Sequence, residues 1–222
     1  MWTLFRRQNE REASPPGSAW ILVPLGNPGE EYAATRHNLG RLLLQRWMDP
    51  HGRRPSRLRA FRAGNLYRLD EVRLALVPST YMNLSGQVCA EAAAAGYAPA
   101  RMVLLQDDKD LPLGLGRFRL KGGSGGHRGF ASVFESLGTE EIARLRLGIG
   151  PYRRPLDEFV LGTWAEEEWP LIDAMEAPFA RFMDHLAQAA SLEELPGVVN
   201  AESFWASPGK PLDPGPPSGQ SQ

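Results

Sequence analysis

His37 stands among side-chain amides, in a segment that reads Gly26-Asn27-Pro28-Gly29, then Tyr32, then Thr35-Arg36-His37-Asn38. An imidazole exchanges protons near neutral pH, and an amide both donates and accepts hydrogen bonds. Together they suit proton transfer at a bound substrate. Three further segments carry polar residues of the same kind. They are Ser79-Thr80-Tyr81-Met82-Asn83-Leu84-Ser85-Gly86, Gln106-Asp107-Asp108-Lys109-Asp110-Leu111-Pro112, and Lys121 to Gly129. Each also has a plain structural reading. Asn83 and Ser85 are natural helix caps, and Asp107 and Asp110 are natural turn formers before Pro112. His37 alone fits a helix start with a satisfied ring. It is the combination of four loops that points to a site.

The last segment holds Gly122-Gly123-Ser124-Gly125-Gly126, which matches the G-x-S-x-G of a serine-hydrolase elbow. Asp157 and His185 supply the order Ser, Asp, His. His185, however, falls in an apolar helical stretch with Phe179, Phe182, Met183 and Leu186. The glycines also suit a backbone that approaches an anion closely. Arg117, Arg119 and Lys121 alternate on the incoming strand, and a helix N-terminus follows near His127 to Gly129, where free N–H groups favour negative charge. Arg144 and Arg146 add a second basic pair, for which solvated surface charge is the competing reading.

These segments need elements to hold them. Trp20 to Leu25 is a short apolar run that reads as a buried strand. Asn-Pro-Gly then turns the chain, and a helix is expected to begin near Thr35 or Asn38 and to run to 48. Strands follow at 58–69 and 72–78, paired through a turn at Asp70-Glu71. Then come a helix over 85–96, a strand over 101–106, a strand over 115–120, a helix over 127–137, a strand over 142–149 and a helix from about 166 to 190. Alternation of strand and helix with one antiparallel pair predicts an α/β fold: a mixed, partly parallel and partly antiparallel twisted sheet, covered by helices on both faces. Ligands of such sheets bind at the carboxyl ends of the strands, where all four polar segments fall.

The chain has 222 residues, enough for one ordinary domain. Domain boundaries are read as a polar N-terminal tail over 1–18, one domain over 19–205 and a Pro/Gly-rich tail over 206–222, both tails disordered by composition. The net charge of −1 provides no global field for nucleic acid, so any RNA contact must come from local clusters. The single cysteine, Cys89, excludes an internal disulfide and reads as a small core residue. Metal-ligand spacing of Cys and His is absent, and His51 and His185 read as ordinary histidines. No signal peptide and no membrane span is expected, which predicts a cytoplasmic protein.

In combination the segments resemble the bacterial peptidyl-tRNA hydrolase family over about residues 19–205. The family's G-L-x-N-P-G-x-x-Y-x-x-T-R-H-N compares with Pro24-Leu25-Gly26-Asn27-Pro28-Gly29, Tyr32 and Thr35-Arg36-His37-Asn38. Its M-N-x-S-G compares with Met82 to Gly86, and its D-x-x-D-L-P with Asp107 to Pro112. Its K-x-x-G-G-x-x-G-H-N-G compares with Arg119, Gly122-Gly123 and Gly126-His127-Arg128-Gly129. Arg144 to Gly150 and Phe159 to Gly162 also fit.

The resemblance implies hydrolysis of the ester between peptide and tRNA, which recycles tRNA from released or stalled translation products. It implies His37 as the base, Asp107 as its orienting carboxylate, Asn27 as an amide that helps reject free aminoacyl esters, and Asn83 as an amide that helps bind the ester end. Tyr32 and Tyr81 would offer flat surfaces to the terminal adenosine or peptide, and Arg119 and Arg146 would meet tRNA phosphates. It implies no metal and no organic cofactor, and a monomer whose partners are peptidyl-tRNA and stalled large ribosomal subunits. One position departs. Where the family has Asn in G-H-N-G this chain has Arg128, which donates but cannot accept and is expected to bind substrate. Two other functions stay open at this level: a non-catalytic RNA-binding relative, and a serine esterase using Ser124.

Overall fold

The computed structural model describes residues 18–49, 52, 54–152 and 155–205. The two expected tails, apart from Ser18, and His51 lie outside the described residues. Strand β1 (Trp20–Pro24) is buried along its whole length, as its unbroken apolar run requires of a strand covered on both faces. It forms the centre of a seven-stranded sheet of order β2-β3-β4-β1-β5-β7-β6. The other strands are β2 (Ser56–Phe61), β3 (Gly64–Arg68), β4 (Arg73–Pro78), β5 (Met102–Pro112), β6 (Gly116–Arg119) and β7 (Ala143–Gly150). Strands β4, β1, β5 and β7 run parallel, whereas β2, β3 and β6 pair antiparallel with their neighbours.

Alternate residues of the central strands feed two separate cores, because side chains along a strand point to opposite faces. Trp20, Leu22, Val103, Leu105, Leu145 and Leu147 join one core, together with residues of α1 (Leu39–Met48), α5 (Trp169–Gln188) and α6 (Leu195–Val199). Ile21, Val23, Leu74, Leu76 and Leu104 join the other, under α2 (Gly86–Ala94) and α3 (Arg128–Leu137). Helices therefore cover both faces, as the alternation of elements predicted. A short α4 (Leu156–Leu161) completes the set. Helices α2 and α3 cross closely at Gly86, where a Cβ would lie 2.1 Å from Ser132 O. Among the described residues no helix is long and apolar enough to cross a membrane.

Two expectations need correction. The stretch 58–69 is not one strand, since a turn at Arg62-Ala63 splits it into β2 and β3. The turn is held from outside, by Glu91 Oε2 of α2 accepting the Ala63 N–H at 3.1 Å, a tertiary contact with no local signature. The expected turn at Asp70-Glu71 is present, with Asp70 Oδ1 accepting the N–H groups of Val72 and Arg73. The second correction concerns β5, which continues through Asp107 to Pro112 instead of ending at 106. Neighbouring β7 supplies the pairing as far as Gly150, across an irregularity between Asp108 and Pro112. The helix expected to begin near Thr35 or Asn38 is present. Arg36-His37-Asn38 forms a 3-10 turn and α1 starts at Leu39.

Candidate active site

The first, fourth and fifth strands end side by side, and their loops enclose a cleft of about 650 Å³. Asn27, Tyr32, His37, Tyr81, Asn83, Asp107, Arg128 and Arg146 all line it. Arg119 does not. It lies on β6, in register with Arg144 of β7.

The segment around His37 is built to hold its neighbours still. Asn38 uses both ends of its amide on the backbone of Asn27, accepting the Asn27 N–H at 2.8 Å and donating to its carbonyl at 2.9 Å. Buried Arg41, one turn later, donates to the carbonyls of Pro24, Asn27 and Pro78, which ties the loop after β1 to the loop after β4. Burial lowers its guanidinium to about 10. Arg36 faces the other way: it pairs with Glu168 at 2.6 Å and stacks over Phe159 and Trp164. Asn27 Oδ1 accepts the Met82 N–H at 2.8 Å, so its amide is oriented and Nδ2 is the end left for the cleft. Neither Asn83 nor Ser85 caps α2 through its side chain. Ser85 bonds back to Met82 O, and Asn83 is exposed to the cleft.

At the floor, one carboxylate oxygen serves two imidazoles. Asp107 Oδ1 lies 2.8 Å from His37 Nδ1 and 2.9 Å from His127 Nε2. Asp107 is 3% exposed. Burial alone would raise its carboxyl, but the two imidazoles and their hydrogen bonds outweigh that and hold it below the usual carboxylate range. The proton positions follow. The Phe130 N–H donates to His127 Nδ1 as the N-terminal cap of α3, so the neutral ring carries its proton on Nε2 and gives it to Asp107. His37 likewise donates from Nδ1, which leaves Nε2 with a lone pair for the cleft. The three groups offer ligand atoms within 4.8 Å of one another. A metal on His127 Nε2, however, would compete with that proton, and metal-bound imidazoles donate through their second nitrogen, which here accepts. The arrangement suits a base and its orienter better than a cation.

His127 has no place among the residues singled out from the sequence, where it marked only a helix start. Its position in the glycine-rich motif beside Arg128 was the available signal. Gln106, Asp108 and Arg144 are further additions to the lining. Arg144 is not solvated surface charge: it is 6% exposed, donates to Gly123 O at 3.1 Å and stacks on Phe130. Burial first, and then repulsion from Arg146 and Arg119, lower it to about 10. Arg144 Nη1 and Gln106 Oε1 are buried without a protein partner among the described residues. The glycine loop passes over Arg144 with positive φ at Gly125 and Gly126, +59° and +80°, conformations that side chains other than glycine's rarely adopt.

Arg146 pairs with Asp108 at 2.5 Å and Lys109 with Asp110 at 2.6 Å, so these charges of the wall are matched. Arg128 is exposed at the start of α3 and has no ion-pair partner among the described residues. Tyr32 and Tyr81 stand edge to face, 6.3 Å between ring centres. Leu156, Val160 and Leu161 of α4 form an apolar stretch opposite. The serine triad is not assembled. His185 lies exposed on α5 against Phe204, outside the cleft that holds Ser124 and Asp157. Cys89 is fully buried, and burial pushes its thiol up to about 12.

Known proteins resemble this chain in sequence and in fold. The sequence model of one family, peptidyl-tRNA hydrolase, matches residues 21–203. A peptidyl-tRNA hydrolase of Carboxydothermus hydrogenoformans is 44% identical over 155 residues, 67% of this chain and 82% of that protein. One from Moorella thermoacetica is 38% identical over 178 residues, 78% of this chain and 94% of that protein. Among solved structures, the peptidyl-tRNA hydrolase of Acinetobacter baumannii superposes with a TM-score of 0.71 at 29% identity. It matches 85% of this chain and 96% of its own.

Proposed function

The chain belongs to the peptidyl-tRNA hydrolase family, and we propose that its cleft hydrolyses the ester between a peptide and the 3′ end of tRNA with His37 as general base. The observation that carries this is the 2.8 Å contact of His37 Nδ1 with Asp107, which commits one ring nitrogen and leaves the other for water. Water attacks the ester carbonyl as Nε2 takes its proton. The imidazolium that forms is stabilised by the ionised Asp107. Asn27 Nδ2 and the amide of Asn83 are the donors for the ester end and the developing oxyanion. His127 braces the same carboxylate from the other side. The leaving tRNA 3′ oxygen then recovers a proton, and peptide and tRNA depart. No step calls for a metal or an organic cofactor.

Tyr32 and Tyr81 present ring faces to the terminal adenosine or the peptide. The enzyme acts in the cytoplasm as a monomer, recycling tRNA from products released or stalled during translation, including those on large ribosomal subunits. A non-catalytic RNA binder would have no use for the oriented His37–Asp107 pair. The direct test is peptide release from N-blocked aminoacyl-tRNA by the purified protein. Turnover equal to wild type by Ser124→Ala separates the histidine mechanism from a serine esterase.

Arg119 and Arg146 are assigned to tRNA phosphates, and replacing both by Ala is expected to flatten the salt dependence of tRNA binding, with a slope change of about 0.7–0.9 per lost phosphate contact. Arg146→Ala is the more damaging of the two, because it also leaves buried Asp108 unpaired beside the substrate. A small blocked aminoacyl-nucleotide lacks those phosphates and is affected much less. Equal losses on both substrates would assign the two arginines to the fold or the chemistry.

Arg128 is assigned to substrate positioning by donation, to a peptide carbonyl or a nearby phosphate. Arg128→Asn is therefore expected to alter KM more than kcat, since a positioning contact is mostly uniform binding. Arg128→Ala raises KM further. Steady-state kinetics at two salt concentrations checks this, and an unchanged KM in Arg128→Ala would place the side chain in solvent.

A further inference from the structure

Six of the chain's 25 lysines and arginines, namely Arg53, Arg54, Arg57, Arg59, Arg62 and Arg68, lie between Asp49 and Asp70, with no acidic residue among them. The whole chain has a net charge of −1, so the rest of the molecule is net acidic. Of these, Arg54 precedes β2, Arg57 and Arg59 lie in it, Arg62 lies at its turn into β3, and Arg68 ends β3. Strand β2 is the outermost of the sheet on the side away from β6. Arg54 and Arg59 are exposed and have no carboxylate partner among the described residues. Arg59 lies over the Phe61 ring at 5.4 Å. Arg62, at the turn, approaches Glu91 only to 3.5 Å and keeps 89% of its side chain exposed.

The hairpin is not remote from the cleft. Strand β2 runs in the direction of β4 and β1, since it is antiparallel to β3, which is antiparallel to β4. Its carboxyl end therefore reaches the sheet edge where the active site opens. The turn is bonded directly to the cleft loop: the Ser79 N–H donates to Ala63 O at 2.9 Å, two residues before Tyr81. Three strand spacings separate β2 from β1, about 14 Å, a distance that a folded RNA spans with ease. Guanidinium groups match phosphate geometry.

We propose that the outer strand β2, Arg54 just before its amino end, and its turn into β3 form a second phosphate-contact surface, which engages the body of the same tRNA whose 3′ end occupies the cleft. The proposal rests on the hydrolase reading above. Arg54, Arg59 and Arg62 contact the backbone without reading bases, so they raise affinity for tRNA of any sequence and leave the chemical step alone. The competing explanation is that arginines on an outer strand simply prevent edge-to-edge association.

The test compares wild type with an Arg54→Ala/Arg59→Ala/Arg62→Ala variant and with the triple Lys variant at the same positions. Deacylated tRNA binding is measured across a salt series. Hydrolysis is measured on full-length N-acetyl-aminoacyl-tRNA and on a short blocked aminoacyl-nucleotide. For the Ala variant the magnitude of the log–log salt slope is expected to fall by about two. KM for full-length substrate should rise about five- to tenfold, with the short substrate unaffected. The Lys variant should keep most of the slope. An unchanged slope overturns the proposal, as does an equal loss on both substrates. Self-association of the Ala variant with intact tRNA affinity would assign the arginines to edge protection. Loss of binding to anionic phospholipid vesicles with tRNA affinity intact would assign them to a membrane surface. Absence of any peptide release by wild type would sink the hydrolase reading instead, and the salt-slope comparison would still decide whether the hairpin binds RNA.

Discussion

Replacing His37 by Ala is expected to slow peptide release by about 10²–10⁴-fold while fold and tRNA binding persist. His37 sits in a 3-10 turn whose neighbours are fixed independently of its ring. Asn38 clamps Asn27, and Arg36 pairs with Glu168. Removing the imidazole therefore deletes a proton acceptor without loosening the loop. The vacated space lies at the cleft floor, so water rather than a void replaces the ring. Single-turnover hydrolysis of N-acetyl-aminoacyl-tRNA, with tRNA affinity measured alongside, checks the result. A variant that keeps more than about a tenth of the wild-type rate would remove His37 from the base role, because general-base catalysis is worth more than that.

Asp107→Asn is expected to cost about 10²-fold in the same assay, less than His37→Ala. An amide oxygen at that position accepts the same two N–H donors at 2.8 and 2.9 Å, so both rings keep their orientation. What is lost is the charge that stabilises the imidazolium. A greater loss than that of His37→Ala would argue for direct participation of the carboxylate.

The same group links stability to pH. Its carboxyl is held below the usual range in the folded protein, so the native state favours the ionised form. The stabilisation is fully present above the unfolded value of about 3.9 and is lost as pH falls below it toward the folded value. Chemical denaturation of wild type from pH 6 to pH 3 should show this acid-side loss, and Asp107→Asn should show less of it. Parallel curves would place the acid sensitivity elsewhere.

The chemistry of this protein is carried by short motifs at the ends of strands, which is why much of it can be read from the sequence. Asn27 and His37 sit ten residues apart around one turn. Asn83 and Asp107 each follow an apolar run that only a central strand explains, and loops after neighbouring strands of a parallel sheet must meet at one edge. The residue types then suit proton transfer at a bound substrate, whereas the reaction itself is implied by the resemblance of the four motifs, in order, to one family. The alternation of strand and helix along the chain likewise implies that helices cover both faces of the sheet.

Tertiary structure decided everything that depends on a partner distant in the chain. Asp107 lies in a strand rather than a turn because β7 extends its pairing to Pro112. His127 joins the site because the glycine loop brings the N-terminus of α3 back over β5 and β7, where its ring meets the oxygen that His37 already uses. Arg146 is held by Asp108, Arg144 is buried under the loop, and Arg119 lies beside Arg144 but outside the lining of the cleft, although all three read alike as basic residues on strands. The turn at Arg62-Ala63 is tied to distant elements, by Glu91 of α2 and by Ser79 after β4. Residue type and spacing determine which groups are available and which faces are buried. Which of two chemically equal groups receives the hydrogen bond is settled only by through-space geometry, since that energy depends on distances of about 3 Å and not on separation along the chain.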